Sequence, residues 1–483
     1  MGGGLVTRRV ETFDGLRVTV AGLGVSGVST ARALARLGSR VTVVDGGDSE
    51  RQRARAAELG AEGIDVWLGD GERLPGDTDL VVTSPGWRPD SPLFTAAAAI
   101  DVEVVGDVEI AWRLRGASGP PWLAVTGTNG KTTTVRMLAA ILQAAGLRTA
   151  AVGNIGTPLV DVVLADPPYD VLAVELSSYQ LHWAPSVRPH SGAVLNLAPD
   201  HLDWHGSMDA YAADKGRVYA GNRVACVYNV ADPATEDLVA KADVVEGCRA
   251  VGFTLGPPGL SQLGVVDGVL ADRAFIPDRR ERAQELATVA DVNPPAPHNI
   301  ANALAAAALA RAYGVEPAAV RDGLRAFTPD PHRIEHVADV AGVSYVDDSK
   351  ATNTHAAEAS LAAYPSTVWI AGGLAKGATF DDLVRGAVGR LRGVVLIGAD
   401  RGLIADALAR HAPDVPVVDL DRTDTGAMAA AVHEATRLAR PGDTVLMAPA
   451  CASMDMFTNY NERGDAFAAA VHALADGQGA TEQ

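Results

Sequence analysis

Short apolar runs dominated by valine, alanine and leucine recur along the chain, each closed by a glycine, a proline or an acid. Between them lie longer stretches in which an apolar residue returns every three or four positions. A run that is apolar at every position is the pattern of a strand buried on both faces, and a period near 3.6 is that of a helix laid over it. Residues 16–21 give a first strand, a glycine turn and a helix through Leu37 follow, and residues 40–44 give a second strand that ends in Asp45. Another strand covers 80–83, and Gly106-Asp107-Val108-Glu109 opens the last helix of this section. The stretch 115–121, rich in small residues and prolines, reads as a linker. Residues 122–126 then form a strand, followed by a second glycine turn and a helix through Leu142, with further strands at 150–152, 171–174 and 192–195. Short β-like pieces with glycine and proline occupy 247–278, and residues 297–302 lead into an alanine-rich helix through Arg311. After 327–331, strands at 343–346, 368–371, 394–397 and 445–448 alternate with helices. The alternation predicts an α/β chain of three domains, at 1–115, 116–329 and 330–483, each on a mainly parallel sheet.

The turns carry the chemistry. In Gly127-Thr128-Asn129-Gly130-Lys131-Thr132-Thr133, a strand passes through glycines into a helix. Backbone N–H groups and the positive end of the helix then converge where a phosphate chain sits. Lys131 adds a point charge for the β- and γ-phosphates, and the Thr132 hydroxyl is a ligand for Mg²⁺. The loop is shorter than the usual spacing, because Val125 stands five positions before Gly130 and the first glycine is Gly127. The central domain is therefore expected to be a P-loop ATPase-like parallel sheet. The earlier turn, Gly22-Leu23-Gly24-Val25-Ser26-Gly27, with Asp45 at the end of the second strand, has the form of a dinucleotide-binding unit. On its residues alone it suits a nicotinamide or flavin cofactor as well as a UDP-sugar, since each presents a pyrophosphate and a ribose. Ser84-Pro85-Gly86 sits at the same sheet edge, as a ligand contact or simply as a turn. Both outer domains read as Rossmann-like.

Strand ends of a parallel sheet meet at one edge, so Glu175, after strand 171–174, and Asp200-His201, after strand 192–195, fall where they join Thr132 around Mg²⁺. Taken singly, Lys215 reads as an ordinary helix lysine, Lys350 and Lys376 as surface charges, and Ser453 as a structural elbow.

Composition narrows the class. A chain of 483 residues accommodates about three domains, and 48% apolar content supplies their cores. The net charge of −18 argues against nucleic acid as a partner and leaves anionic substrates to be held by local groups. Three cysteines, Cys226, Cys248 and Cys451, have no paired spacing and offer neither a disulfide framework nor a zinc site. Met1–Arg9 lacks the apolar core of a leader, and no apolar run approaches the ~18 residues that span a bilayer, so a cytoplasmic protein without membrane insertion is expected.

The shortened loop Gly-Thr-Asn-Gly-Lys-Thr resembles that of the Mur ligases and folylpolyglutamate synthases, which form amide or peptide bonds with ATP. Asn154 in Gly-Asn-Ile-Gly, Glu175 in Glu-Leu-Ser-Ser-Tyr-Gln, Asp200-His201 and Lys215 fall in the order and approximate spacing of the Mur ligase central domain. Three stretches of the third domain resemble the D-glutamate-adding branch of that family: Asp347-Asp348-Ser349-Lys350-Ala351-Thr352-Asn353, Gly372-Gly373-Leu374-Ala375-Lys376-Gly377, and residues 449–457 around Ser453. Branches that add L-alanine or a diamino acid carry a Tyr-Ala-His-type stretch at the first of these, and the diaminopimelate signature Asp-Asn-Pro-Arg does not occur. The resemblance runs from Gly22 to Gly464. It departs at Pro297, where a glycine commonly precedes His-Asn, at Tyr179 for a frequent Phe, and at Gly46-Gly47 for Thr-Arg.

This resemblance implies a ligase that joins D-glutamate to UDP-N-acetylmuramoyl-L-alanine through an acyl phosphate, releasing ADP and phosphate. The UDP-sugar peptide would lie on Gly24, Val25, Ser26 and Gly27, with Asp45, Ser84, Asn154, Ser177 and Gln180. ATP would contact Gly127 to Thr133, Asn299, Asn302, Arg333 and Asp348. Two Mg²⁺ ions would be held by Thr132, Glu175, His201 and a carbamylated Lys215, the last requiring a lysine whose amine is neutral. D-glutamate would meet Thr352, Lys376, Ser453 and Tyr460, with Lys131, His201, Lys215 and Lys350 in catalytic roles. A monomer is expected, with the third domain closing over the site. Three other readings stay open: a Mur-type ligase for another amino acid, a non-catalytic UDP-muramyl-peptide binder, and an oxidoreductase using the first glycine turn.

Overall fold

The first glycine turn leaves the middle of a five-stranded sheet. In the computed structural model, which describes residues 12–422, 424 and 426–479, the strands β1 (Arg17–Ala21), β2 (Arg40–Asp45), β3 (Asp65–Leu68), β4 (Leu80–Thr83) and β5 (Glu103–Gly106) are ordered β3-β2-β1-β4-β5. All neighbours are parallel. Strand order reverses between β1 and β4, and the crevice above such a switch point is where a doubly wound sheet takes its ligand. Residues 1–11, on which the leader reading rests, lie outside the described residues.

The second sheet has nine strands: β6 (Trp122–Thr126), β7 (Ala151–Gly153), β8 (Leu172–Glu175), β9 (Ser191–Val194), β10 (Ala225–Asn229), β11 (Arg249–Phe253), β12 (Gln262–Val266), β13 (Val269–Asp272) and β14 (Gln284–Thr288). The order is β14-β13-β12-β11-β10-β9-β6-β8-β7. Pairing is parallel from β7 to β12, and β13 and β14 extend the edge antiparallel. Because β6 lies between β8 and β9, the glycine turn, Glu175 and the segment after β9 emerge side by side.

Period-two alternation sorts this sheet between two cores. Leu123, Val125, Ala173 and Ala193 face the helices Lys131–Ala144 and Pro297–Tyr313. Trp122, Ala124, Leu172, Val174 and Val194 face the other way, into a core continuous with Val108, Ile110 and Ala111 of the helix Asp107–Arg115 from the first sheet. The first two sheets thus share one apolar layer, edged by Trp112 and Trp122 at 4.9 Å between ring centroids. Polar bonds fix the join: Gly106 N–H donates to Trp183 O (2.8 Å), Ser186 N–H to Glu109 Oε2 (2.9 Å), and Trp204 Nε1 to Trp87 O (3.2 Å). Glu109 is fully buried and paired with Arg113 at 2.8 Å, so its charge is compensated where it sits.

The third sheet comprises β15 (Glu335–Val340), β16 (Val343–Asp347), β17 (Thr367–Gly372), β18 (Leu391–Ile397), β19 (Val417–Asp419) and β20 (Thr444–Met447), ordered β15-β16-β20-β17-β18-β19. Only β15 is antiparallel. The chain falls into two compact units, one holding the first two sheets with Ile300–Phe327, the other holding Asn293–Asn299 and the third sheet from Thr328 onward. Among the described residues no helix is long and apolar enough to cross a membrane.

Helix Pro317–Ala326 lies so close to Lys131–Ala144 that a Cβ on Gly323 would stand 2.4 Å from Ile141 Cα. Glycine to alanine inside a helix ordinarily stabilises by about 0.5–1 kcal/mol. Here the overpacked contact reverses the sign, and Gly323→Ala is expected to cost about 1–3 kcal/mol, read as a lower thermal midpoint. A midpoint at or above the parent's would contradict the close approach.

Candidate active site

At the first glycine turn, helix Val25–Arg36 presses onto the end of β1, and a Cβ on Gly27 would sit 2.0 Å from Gly22 O. Gly22 has φ +104°, and a Cβ there would meet Ser84 Oγ at 2.9 Å, so the turn after β4 closes on the turn after β1. Gly24 faces open space and caps the helix without a side-chain bond. The first-turn N–H groups therefore point into an open crevice with Val25 exposed beside them. Ser84 Oγ is buried there with no partner among the described residues. Asp45 is differently engaged: its carboxylate accepts Leu23 N–H (2.7 Å), Gly47 N–H (2.9 Å) and Gln52 Nε2 (2.7 Å), bracing the turn against β2. Ser26 bonds the Asp107 carboxyl, whose burial pushes its pKa up to about 6.

The second turn is zipped to the segment after β9. Thr128 N–H donates to Asn196 O (3.0 Å), Asn129 N–H to Asn196 Oδ1 (2.8 Å), and Asn196 Nδ2 returns a bond to Asn129 O (3.1 Å). Gly130 is left-handed at φ +83°, and a Cβ on it would lie 2.4 Å from Asn302 Oδ1, which brings Asn302 to the loop. Thr132 and Thr133 follow in the first turn of the helix. Lys131 Nζ folds over the loop onto Gly127 O and Thr128 O, both at 2.9 Å.

Lys215 Nζ donates to that same Gly127 oxygen at 2.8 Å and lies 4.5 Å from the centre of the Tyr211 ring. Burial, reinforced by the charge of Lys131, pushes its pKa well below the ordinary lysine value, against the pull of Asp200 and Glu175. Glu175, at the end of β8, is 2% exposed. Its Oε1 accepts Asn154 Nδ2 at 3.0 Å, while Oε2 is buried with no partner among the described residues. His201 adopts φ +54°, with its ring 4.9 Å from Tyr179. Partial desolvation lowers its pKa, Asp200 opposes the shift, and Lys131 and Lys215 add to it, so a neutral imidazole faces this edge. An orphaned carboxylate oxygen, a neutral imidazole and a hydroxyl from Thr132 are the donor set a divalent cation takes. These residues fit Mg²⁺, and a neutral Lys215 amine fits carbamate formation.

Asn154 is drawn to Glu175 by its amide and its N–H (2.9 Å to Glu175 O). Ser177 and Gln180 bond each other in a capping box on helix Ser178–His182, with Gln180 buried.

In the other compact unit, Lys350 Nζ lies 3.8 Å over the Tyr460 ring. Residues 372–374 and 450–453 interlock through reciprocal Leu374 and Ala452 backbone bonds of 2.9 Å, which brings together the turns that carry Lys376 (φ +49°) and Ser453. Thr352 follows the turn at Lys350 through its N–H to Lys350 O (2.8 Å). Asp348 is buried, accepts the Ile334 N–H and the Ser360 hydroxyl, and is raised to about 6 by desolvation. Arg333 follows His332, whose ring is fixed to Asp347 at 2.7 Å. Asn299 bonds Pro294 O at 3.3 Å. Arg463 was not anticipated from the sequence: 1% exposed, it donates to Ser349 Oγ (3.0 Å), Ser349 O (2.9 Å) and Cys451 O (3.1 Å), tying the Lys350 and Ser453 turns together. Asn196 was missed likewise. Its only local signal is its place just after a strand.

Three domain families match in succession: the Mur ligase MurD-like N-terminal domain over residues 16–106, the Mur ligase middle domain over 125–310, and the Mur ligase glutamate ligase domain over 332–451. A Streptomyces coelicolor protein named UDP-N-acetylmuramoylalanine--D-glutamate ligase is 76% identical over 465 residues, covering 96% of this chain and 99% of its own. A Thermobifida fusca protein of the same name is 63% identical over 463 residues, covering 95% and 99%. Among solved structures, MurF ligase from Thermotoga maritima in complex with ADP is alike in fold, with a TM-score of 0.56 at 17% identity over 98% of this chain and 100% of that one. The chain belongs to the Mur ligase family, within its MurD-like branch.

Proposed function

We propose that this protein is an ATP-dependent ligase that joins D-glutamate to UDP-N-acetylmuramoyl-L-alanine, releasing ADP and phosphate. The observation that carries the chemistry is the buried Glu175 oxygen without a partner among the described residues, at the same sheet edge as a phosphate loop whose Gly127 carbonyl accepts from Lys215, a lysine whose pKa burial pushes well down. The substrates follow from the names of relatives at 76% and 63% identity. On this reading the sheet before residue 116 takes the UDP-sugar, residues 116–329 take ATP, and the part from 330 takes the amino acid and reaches ATP.

The phosphate loop binds the ATP phosphates through the N–H groups of Gly127 to Thr133, and Lys131 turns from its own carbonyls onto them. Asn299, Asn302, Arg333 and Asp348 complete the nucleotide site. The UDP-sugar pyrophosphate lies against Gly24–Gly27 with Ser84. Asp45, Asn154, Ser177 and Gln180 act there by shaping the walls, since each already holds a partner, Asp45 on Leu23, Asn154 on Glu175, and Ser177 and Gln180 on each other. Thr132, Glu175, His201 and Lys215, the last as a carbamate formed when its neutral amine adds to CO₂ and sheds a proton, would hold two Mg²⁺ ions. Bound there, they would neutralise charge between the two anions that must meet. The L-alanine carboxylate attacks the γ-phosphorus in line, an acyl phosphate forms and ADP leaves. The D-glutamate amine, held through its carboxylates by Thr352, Lys376 and Ser453 beside Tyr460 and Lys350, attacks the acyl carbon, and the departing phosphate carries off the amine's proton.

Phosphate release from ATP and Mg²⁺ with UDP-N-acetylmuramoyl-L-alanine is expected with D-glutamate and not with L-glutamate, L-alanine or meso-diaminopimelate. Turnover with another of these would move the chain to a different ligase specificity, and none at all would favour a binding protein. Glu175→Gln is expected to lower turnover at least about 100-fold, with UDP-substrate affinity measured calorimetrically at the parent's value. Lys215→Ala is expected to fall as far and to regain part of its rate in added formate or acetate, which supplies the missing carboxylate. A Lys215→Ala protein as active as the parent would remove the carbamate from the account.

A further inference from the structure

Four residues absent from the chemistry above surround the segment that carries Lys215. Asp214, 5% exposed, precedes it in helix Met208–Gly216. One oxygen, Asp214 Oδ2, accepts from His182 Nδ1 at 2.9 Å and from His205 Nδ1 at 3.1 Å, and Oδ1 faces Arg217 Nε at 3.1 Å. An imidazole that donates through Nδ1 keeps Nε2 as an acceptor when neutral, and His205 Nε2 lies 3.0 Å from the Ser178 hydroxyl. The His205 ring is stacked on Tyr179 (5.6 Å, 4°), and Tyr179 in turn contacts His201 at 4.9 Å.

The ends of this chain of bonds are informative. Ser178 begins the helix Ser178–His182 three residues after Glu175, His205 closes the short helix Leu202–His205 that His201 caps, and Asp214 is bonded through the backbone to Lys215. Consecutive helix residues point about 100° apart, so Asp214 faces the two histidines while Lys215 faces Gly127 O. We infer that Asp214, with His205, His182 and Ser178, is a positioning device that sets Lys215 in register with Glu175 and His201 and thereby tunes divalent-cation affinity. The inference rests on the proposed role of Lys215 as a carbamate ligand.

The test uses the full-length protein. Carbamate is read by ¹³C NMR in ¹³C-bicarbonate, and Mn²⁺ binding by electron paramagnetic resonance of the free ion, for the parent, Asp214→Asn and Ser178→Ala. Asn keeps the shape of Asp214 but sets an amide where a carboxylate received three donors, while Ser178→Ala removes the far end of the chain with the least disturbance. The expectation is a weaker carbamate signal at equal bicarbonate and a Mn²⁺ dissociation constant raised about 10–100-fold in Asp214→Asn. Ser178→Ala is expected to change in the same direction to a smaller extent, and both variants to bind UDP-N-acetylmuramoyl-L-alanine calorimetrically like the parent. Should Asp214→Asn not fold, Ser178→Ala decides alone. Parent-like carbamate and Mn²⁺ affinity in the folded variants would overturn the positioning role and leave the ligase reading intact. A parent without any carbamate would overturn the role of Lys215 itself, and this inference with it.

Discussion

The carbonyl oxygen of Gly127 receives two lysine amines, Lys215 at 2.8 Å and Lys131 at 2.9 Å, and the site is organised by that shared contact. Two ammonium groups on one oxygen sit within roughly 6 Å of each other, where their repulsion is about 3 kcal/mol at an effective dielectric constant near 20. Lys131 is half-buried and Lys215 is 2% exposed, so burial and the neighbouring charge press hardest on the pKa of Lys215 and push it well down. The positive end of helix Lys131–Ala144 adds to the same bias. A place that stabilises anions and disfavours the charged form of one lysine is suited to receive the phosphates of ATP.

The contact depends on strand order. Only because β6 runs between β8 and β9 do Glu175, Asn196 and the glycine turn emerge together. The shared apolar layer on the Trp122 face then fixes the first sheet against the second. The bond from Trp204 to the Trp87 carbonyl, and that from Arg88 to the Asp203 carbonyl (3.0 Å), couple the segment carrying His201 to the loop that closes on the first glycine turn. Geometry at the second glycine turn and geometry at the first are therefore set by one body.

Much of this was legible along the chain because it is written locally. Valine-rich runs gave the parallel strands, glycines marked the two turns, and the ends of strands gave Glu175 and His201. What stayed hidden depends on partners remote in sequence. Arg463 bonds Ser349 across 114 positions, and His182 meets Asp214 across 32, so neither has a periodicity or a spacing to betray it. Cys226 and Cys248 show no paired spacing, yet neighbouring strands bring their sulfurs to 3.9 Å. Ser177 and Gln180 illustrate the opposite case. The Ser-x-x-Gln spacing is the local signal of a capping box, and the structure shows that bond. Asp45 and Asp348 accept backbone N–H groups from other segments, those of Leu23 and Ile334.

The most direct test of the account follows an oxygen atom. UDP-N-acetylmuramoyl-L-alanine labelled with ¹⁸O in its alanine carboxylate is turned over with ATP and D-glutamate, and the released phosphate is examined by mass spectrometry. If the loop at Gly127 presents the γ-phosphorus to that carboxylate, one ¹⁸O passes into inorganic phosphate for each amide formed. Phosphate free of label, with amide bond formation proceeding, would contradict the acyl phosphate route and the arrangement of the site argued from it.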